Sequence, residues 1–272
     1  MQITRVVAVY FSATGKTRRV VSTLANAVAQ AMELPLDTVD FTLPAARAET
    51  YAFSADDLVV FGSPTYAGKL PNKLLPFVQS GFCGNGALAV PVVTFGNRSF
   101  DNSLAELCVS LENAGFHTMA AGAFACQHAF SDTLAAGRPD GEDMQKLAEL
   151  GGAVVRLLAQ DVPPAPVAVE GDAAAPYYRP LGLDGEPKNF LKAKPVTDAE
   201  KCSGCGVCAA LCPMGSIDPA DPSSVTGVCI KCHACVRACP VGAKSFDDPA
   251  FLSHKAMLER DYTRRAESKV FY

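Results

Sequence analysis

The chain has 272 residues, 49% of them hydrophobic and 19% charged. That apolar content can bury a core and excludes wholesale disorder, and the length suits one large domain or two smaller ones. A formal net charge of −4, without a long basic run, argues against nucleic acid as a main partner. No apolar run nears the roughly 18 residues that span a bilayer, so no membrane insertion is expected. The opening MQITRVVAVYF reads as a β-strand rather than a signal peptide. A cytoplasmic protein is expected.

Val6–Phe11 is an unbroken β-branched and aromatic run, followed by the turn Ser12–Thr17 and a helical stretch from about Arg18 to Met32. Asp57–Gly62 (DLVVFG) and Ala87–Phe95 (ALAVPVVTF) read as two further buried strands. Ser103–Asn113 is helix-like and leads into a fourth strand from about His117 to Phe124, and Glu142–Leu158 is an amphipathic helix. Apolar strands alternating with helices predict an α/β domain over residues 1–160, a doubly wound parallel sheet covered on both faces. Ligands of such sheets bind at the carboxyl ends of the strands, which singles out the loops after Phe11, Gly62 and Phe95. Residues 161–195 carry Pro163, Pro164, Pro166, Pro176, Pro180, Pro187 and Pro195 among alanines and glycines. Proline fixes φ and removes donors, so this stretch is predicted to be an extended linker rather than a packed element. Residues 248–272 read as a charged helical tail that packs across the modules or makes a dimer contact.

Eight of the eleven cysteines fall between Cys202 and Cys239. Cys202-x2-Cys205-x2-Cys208-x3-Cys212-Pro213 is followed by Cys229-x2-Cys232-x2-Cys235-x3-Cys239-Pro240, the bacterial iron–sulfur run written twice. In such pairs the fourth cysteine of each run ligates the other cluster. One [4Fe–4S] cluster is therefore assigned Cys202, Cys205, Cys208 and Cys239, and the other Cys229, Cys232, Cys235 and Cys212. Structural zinc is the competing interpretation, but zinc sites usually pair their ligands across a long spacer. With eight thiolates accounted for, His233 is expected to pack near a cluster or face solvent. Lys201, Lys231 and Arg237 are expected to solvate the surface, with tuning of the potential or docking of a partner as their competing roles. Residues 196–247 resemble the dicluster ferredoxin family, a small α+β fold, with every ligand matched. Cys83, Cys108 and Cys126 lack metal-site spacing and are expected to be free, buried thiols.

Ser12-Ala13-Thr14-Gly15-Lys16-Thr17 imitates the end of a nucleotide P-loop, but that motif needs a glycine where Tyr10 stands. What remains is a hydroxyl-rich turn at a helix N-terminus, suited to a terminal monophosphate. The turn resembles the phosphate loop of the flavodoxins. Gly62-Ser63-Pro64-Thr65-Tyr66-Ala67-Gly68 resembles their first ring-flanking loop, and Phe95-Gly96-Asn97-Arg98-Ser99-Phe100-Asp101 stands where they place the second. The resemblance implies a bound FMN. The chain lacks tryptophan, so Tyr66 and Phe100 are the candidates to stack on the flavin, each with simple packing as its competing role. Arg98 offers a positive charge to a reduced flavin or a substrate anion, or is simply solvated. His128, in the segment after the fourth strand, is a candidate proton donor or a packed side chain.

The whole arrangement resembles flavodoxin–ferredoxin fusion proteins of anaerobic bacteria. That resemblance implies electron transfer with low-potential, oxygen-sensitive clusters. Two clusters and an FMN phosphate would bring the holo charge to roughly −10, which would steer a redox partner with a basic face. Two functions follow: a shuttle relaying electrons between redox proteins, favoured by the resemblance, or a reductase whose clusters feed an FMN acting on a small molecule or NAD(P)H. Gly81-x-x-Gly84-x-Gly86 does not make a dinucleotide fingerprint, which weakens direct NAD(P)H binding.

Overall fold

A computed structural model describes residues 2–160 and 162–272. Met1 and Asp161, which open the predicted first domain and the predicted linker, lie outside the described residues. The N-terminal part is built from β1 (Arg5–Tyr10), α1 (Lys16–Met32), β2 (Leu36–Asp40), β3 (Asp57–Pro64), β4 (Leu88–Phe95), α2 (Ser103–Asn113), β5 (Ala121–Ala125) and α3 (Gly141–Leu158). The C-terminal part adds α4 (Pro249–Asp261) and β6 (Lys269–Phe271). Among the described residues the main sheet has seven strands, six of them in the order β6-β5-β4-β3-β1-β2. The seventh, His117–Thr118, pairs beside the start of β4. Strands β2, β1, β3, β4 and β5 run parallel. This is the doubly wound order 2-1-3-4-5, with its switch point between β1 and β3.

The strands alternate their side chains between two cores. Val6, Ala8, Tyr10, Leu58 and Val60 face α1 and α3, which contribute Val20, Leu24, Leu147 and Val154. Val7, Val9, Val59, Phe61 and Val93 face α2, with Leu104, Leu107 and Leu111. Both faces are covered, which is why the strands are apolar throughout. Strand β2 was not predicted. It is an edge strand, mostly exposed, and its Asp37 accepts from Arg5 at 3.0 Å. Charge on an edge strand discourages further pairing and erases the hydrophobic pattern.

The predicted linker is irregular, as its prolines require, but it is packed. Val167 and Val169 lie against the α2-side core, and Val167 donates its N–H to Thr118. Lys69, buried, donates to the carbonyls of Ala173 and Ala175 at 2.7 and 2.9 Å while pairing with Glu106 at 3.0 Å. Tyr178 donates its N–H to Ala67. The segment is a strap across the sheet's carboxyl edge.

The tail also departs from expectation. Helix α4 begins on an Asp248 cap, but the chain ends as β6, antiparallel on β5 with Lys269 opposite Ala123. The approach to β6 is fixed by Arg138, whose guanidinium is buried against Asp143 and donates to the carbonyl of Ala266. Burial alone would raise the Asp143 carboxyl; hydrogen bonds from Arg138 and Ser268 hold it below its ordinary value. No helix among the described residues is long and apolar enough to cross a membrane.

Between strap and tail, a two-stranded ribbon (Val196–Thr197 with Lys244–Ser245) closes around the two cysteine runs. An aromatic cluster joins this unit to the sheet. Phe130 lies 4.8 Å from His233 and 4.9 Å from Phe251, and Phe190 stacks on His254 at 5.4 Å. Arg237 adds polar ties to the carbonyls of Ala129 and Ser131 and to Asp132.

Candidate functional site

The three loops picked from the sequence meet in one crevice at the carboxyl ends of β1, β3 and β4. Ser12, Ala13, Thr14, Lys16 and Thr17 line it, together with Pro64–Gly68 and Phe95, Gly96, Arg98 and Ser99. Gly15 stands at the N-cap of α1 with φ 80° and no side-chain cap. Among the described residues the N–H groups of Lys16 and Thr17 have no acceptor, whereas that of Arg18 is taken by the Ser12 hydroxyl. Two hydroxyls are partly committed: Ser12 Oγ accepts from Arg18 N–H at 2.9 Å, and Thr17 Oγ1 bonds Thr94 Oγ1 at 2.8 Å. Backbone donors and one lysine suit a monophosphate.

The ring loops are tightly set. Tyr66 and Lys69 bridge a turn whose centre, Ala67 and Gly68, is left-handed at φ 49° and 78°. A Cβ at Gly68 would stand 2.3 Å from Asp101 Oδ2, so close approach as well as φ demands glycine there. Tyr66 lines the crevice, available to stack. Burial, with the nearby Cys232 and Cys229 thiols, holds its phenol well above the ordinary value.

Asn97, Phe100 and Asp101, predicted to bind the cofactor, do not line the crevice. Phe100 is buried in the α2-side core, 5.5 Å from Phe95. Asp101 pairs with Arg98. Asn97 is committed to the tail: Nδ2 donates to the carbonyls of Tyr262 and Arg264 at 2.7 Å each, and Oδ1 accepts from Ala266 N–H at 3.1 Å. Asn97→Ala should lower unfolding free energy by about 1–3 kcal/mol and speed amide exchange over residues 262–271, since the carbonyls and N–H it serves lose partners. Unchanged exchange there would refute that role.

Other segments complete the crevice. Cys126–Phe130 follow β5; Tyr178, Pro180 and Phe190 come from the strap, and His254 and Leu258 from α4. Arg98 lies 4.0 Å from the Tyr178 ring centroid, a cation–π contact. Desolvation, with His254 and two arginines nearby, pushes His128 down to about 3, so its imidazole is neutral. Its Nδ1 accepts from Phe130 N–H at 3.1 Å, which puts the ring proton on Nε2. His254 is the reverse: Nδ1 faces the Leu181 carbonyl at 2.8 Å and must donate, leaving Nε2 as an acceptor. Nothing in local pattern marked the roof residues, because they meet the crevice only through the tertiary path of strap and tail. Cys126 and Cys108 are buried thiols, each pushed up to about 12 chiefly by burial; Cys83, against expectation, is exposed.

The cysteines gather as two quartets. One small cavity is lined by Cys202, Cys205, Cys208 and Cys239, another by Cys212, Cys229, Cys232 and Cys235. Each run thus sends its fourth cysteine to the other's cavity. Among the described residues no His, Cys, Asp or Glu group is spaced to hold a single metal ion. Four sulfurs on a tetrahedral zinc would sit only about 3.8 Å apart; these thiols surround a space instead, as ligands on separate irons do. Backbone N–H groups already point at sulfur: Ser216 at Cys212, Lys231 at Cys229 and Ala243 at Cys239, at 3.2–3.4 Å. Such bonds tune cluster potential.

The two loops differ in a telling way. The first winds through Gly204 and Gly206 at φ 68° and 70°; the second places Lys231 and His233 there, at φ 55° and 62°. Left-handed non-glycine residues cost about 1–2 kcal/mol each. The second loop uses those side chains to dock: Lys231 donates to the carbonyls of Leu191 and Cys229, and His233 enters the aromatic cluster. Its Ile230, Lys231 and Cys232 line the crevice, whereas Cys205 of the first loop is exposed. One quartet is inner and the other outer.

A parallel sheet with a ligand crevice at its switch point, joined to two cysteine quartets, defines a flavin- and iron–sulfur-type redox protein. Family models agree: a flavodoxin domain matches residues 7–89 and a 4Fe-4S dicluster domain matches residues 194–240. The chain is a fusion of a flavodoxin domain with a ferredoxin-like dicluster domain. No curated protein matches it. Among solved structures it is similar to a flavodoxin from the domain Archaea at 14% identity and TM-score 0.42, covering 57% of this chain and 99% of that one. It is also similar to an NADH:FMN oxidoreductase at 16% identity and TM-score 0.41, covering 59% and 92%. A third is the rubredoxin oxygen:oxidoreductase of the anaerobe Desulfovibrio gigas, at 16% identity and TM-score 0.37, covering 58% and 37%. These likenesses are of fold alone.

Proposed function

We propose that this chain is an electron-transfer protein that relays low-potential electrons between partner redox proteins and a bound FMN by way of two [4Fe–4S] clusters. Cys202, Cys205, Cys208 and Cys239 hold the outer cluster; Cys229, Cys232, Cys235 and Cys212 hold the inner one. The N-terminus of α1 with Lys16 holds the FMN phosphate, and Tyr66 stacks on the ring. The observation that carries this reading is the position of Cys232: an inner-quartet thiol lines the crevice that the flavodoxin loops form. Bound FMN exchanges one or two electrons and each cluster exchanges one. The chain's own part is to hold these centres close, exclude water with the roof, and leave the outer quartet open to a partner. Negative charge steers a partner with a basic face, and association slows as salt rises.

A second reading, an FMN-dependent oxidoreductase acting on a small molecule or NAD(P)H, draws support from the roof. Tyr178, Phe190 and His254 cover the crevice, so a small molecule reaches a ring there more readily than a protein surface does. His128 Nε2–H and His254 Nε2 offer it one donor and one acceptor. An anaerobic experiment separates the two. Reconstituted protein should carry about eight irons and one FMN per chain. Its flavin absorbance should bleach with a reduced one-electron protein carrier and stay unchanged with NADH or NADPH alone. Bleaching by either nucleotide alone would favour the oxidoreductase.

A further inference from the structure

His233 stands where the other cysteine loop has Gly206, in a backbone conformation that disfavours any side chain. Packing accounts for a ring at this position. The imidazole stacks on Phe246 at 4.7 Å and 15°, lies 5.4 Å from Phe251, and meets Phe130 from a third side. Packing does not account for its nitrogen. His233 is 6% exposed, and its Nε2 is fully buried without a hydrogen-bond partner among the described residues. Buried polar atoms are nearly always paired, and leaving one unpaired is destabilising. A phenylalanine would fill the same space at no such cost.

The missing partner has an evident source. His233 borders the cavity ringed by Cys212, Cys229, Cys232 and Cys235. Resting on the proposed occupancy of that cavity, we propose that His233 donates a hydrogen bond from Nε2–H to a sulfur of the inner cluster and thereby raises its reduction potential. The surrounding rings fix the imidazole plane and keep water from competing for the proton. Reduction by one electron adds negative charge to the cluster sulfurs, so a bond to sulfur is stronger in the reduced state. A dry, buried cavity otherwise disfavours that added charge. The outer loop has no counterpart, since Gly206 carries no side chain. The consequence is directional: one electron leaves the outer cluster and one enters the inner cluster, no proton moves, and the imidazole offsets the penalty of burial on the receiving side.

The test is an EPR-monitored redox titration of the full chain carrying both clusters and FMN, in wild type and in His233→Phe. One of the two cluster potentials should move negative by the equivalent of a three- to tenfold loss in reduction constant, ~30–60 mV, while the other stays put. Iron and flavin contents should be unchanged. A second measurement does not depend on the variant folding: wild-type protein with 15N-labelled histidine should show a 15N coupling in the pulsed EPR spectrum of a reduced cluster. Unmoved potentials in a fully loaded variant, or no such coupling in wild type, would overturn the proposal. Wild type holding only about four irons would instead sink the assignment of the inner cavity on which it rests.

Discussion

Replacing Cys239 by alanine should remove the outer iron–sulfur cluster and spare the inner one, although Cys239 belongs to the second cysteine run. Its thiol lines the cavity of Cys202, Cys205 and Cys208, and the thiol of Cys212 lines the cavity of the second run. Iron content should fall from about eight to about four per chain, with FMN retained. Cys205→Ala should match it in iron content, spectrum and loss of partner-driven flavin reduction, because both strip the same outer cluster. Cys212→Ala and Cys232→Ala should form a second matching pair, one that isolates the flavin from an outer cluster still present. Elemental analysis with EPR of the reduced proteins reads both groupings. If Cys239→Ala instead paired with Cys232→Ala, the crossed ligation would be wrong.

The metal unit was legible because its spacing is its chemistry: a loop of Cys-x2-Cys-x2-Cys has little to do except wrap a cluster. Strands β1, β3, β4 and β5 were legible for a different reason, being buried on both faces and so apolar throughout. Strand β2 was not, since Asp37 and Asp40 serve an exposed edge. The three loops singled out in the sequence do meet at one crevice, but the direction of their side chains was not readable. Asn97 and Asp101 sit at φ 66° and 42°, a left-handed backbone that no local pattern signalled, while Asn97 bonds the tail and Phe100 lies in the core. The prolines of residues 163–195 correctly forbade regular structure there. They said nothing about docking, which depends on Lys69, about a hundred residues upstream. The three-residue β6 is too short to carry a pattern, and its partner β5 is remote in sequence.

Most of these misses share one location. Strand β2 aside, the segments that sequence left unplaced (strap, α4 and the approach to β6) converge on the carboxyl edge of the sheet. Here Tyr178, Phe190 and His254 line the crevice with Cys232, and Arg237, between ligands of both quartets in sequence, ties the His128 loop to the cysteine unit. On the proposed function, enclosure of the crevice and exposure of Cys205 are two sides of one arrangement, with the outer quartet as the way in for a protein partner.

The middle of the strap that makes this enclosure is tied to the sheet by one buried charge, and Lys69→Met should loosen it there. Lys69 and Glu106 side chains are each 8% exposed and meet at 3.0 Å. Nζ also donates to two strap carbonyls, while Glu106 Oε2 accepts from Leu70 N–H at 2.8 Å. Methionine preserves the stem and removes every donor, stranding the carboxylate. Removing one partner of a buried pair costs about 3–5 kcal/mol. Holo-protein should therefore lose that much in urea unfolding, and a protease should cut between residues 171 and 178 before the domains unfold. Glu106→Gln in the same chain should recover much of the stability, because the amide oxygen still accepts from Leu70 and no charge is left alone. It should not recover the strap, whose carbonyls still lack Nζ. Recovery of protease resistance along with stability would mean that the strap is held by its apolar contacts at Val167 and Val169, not by the lysine.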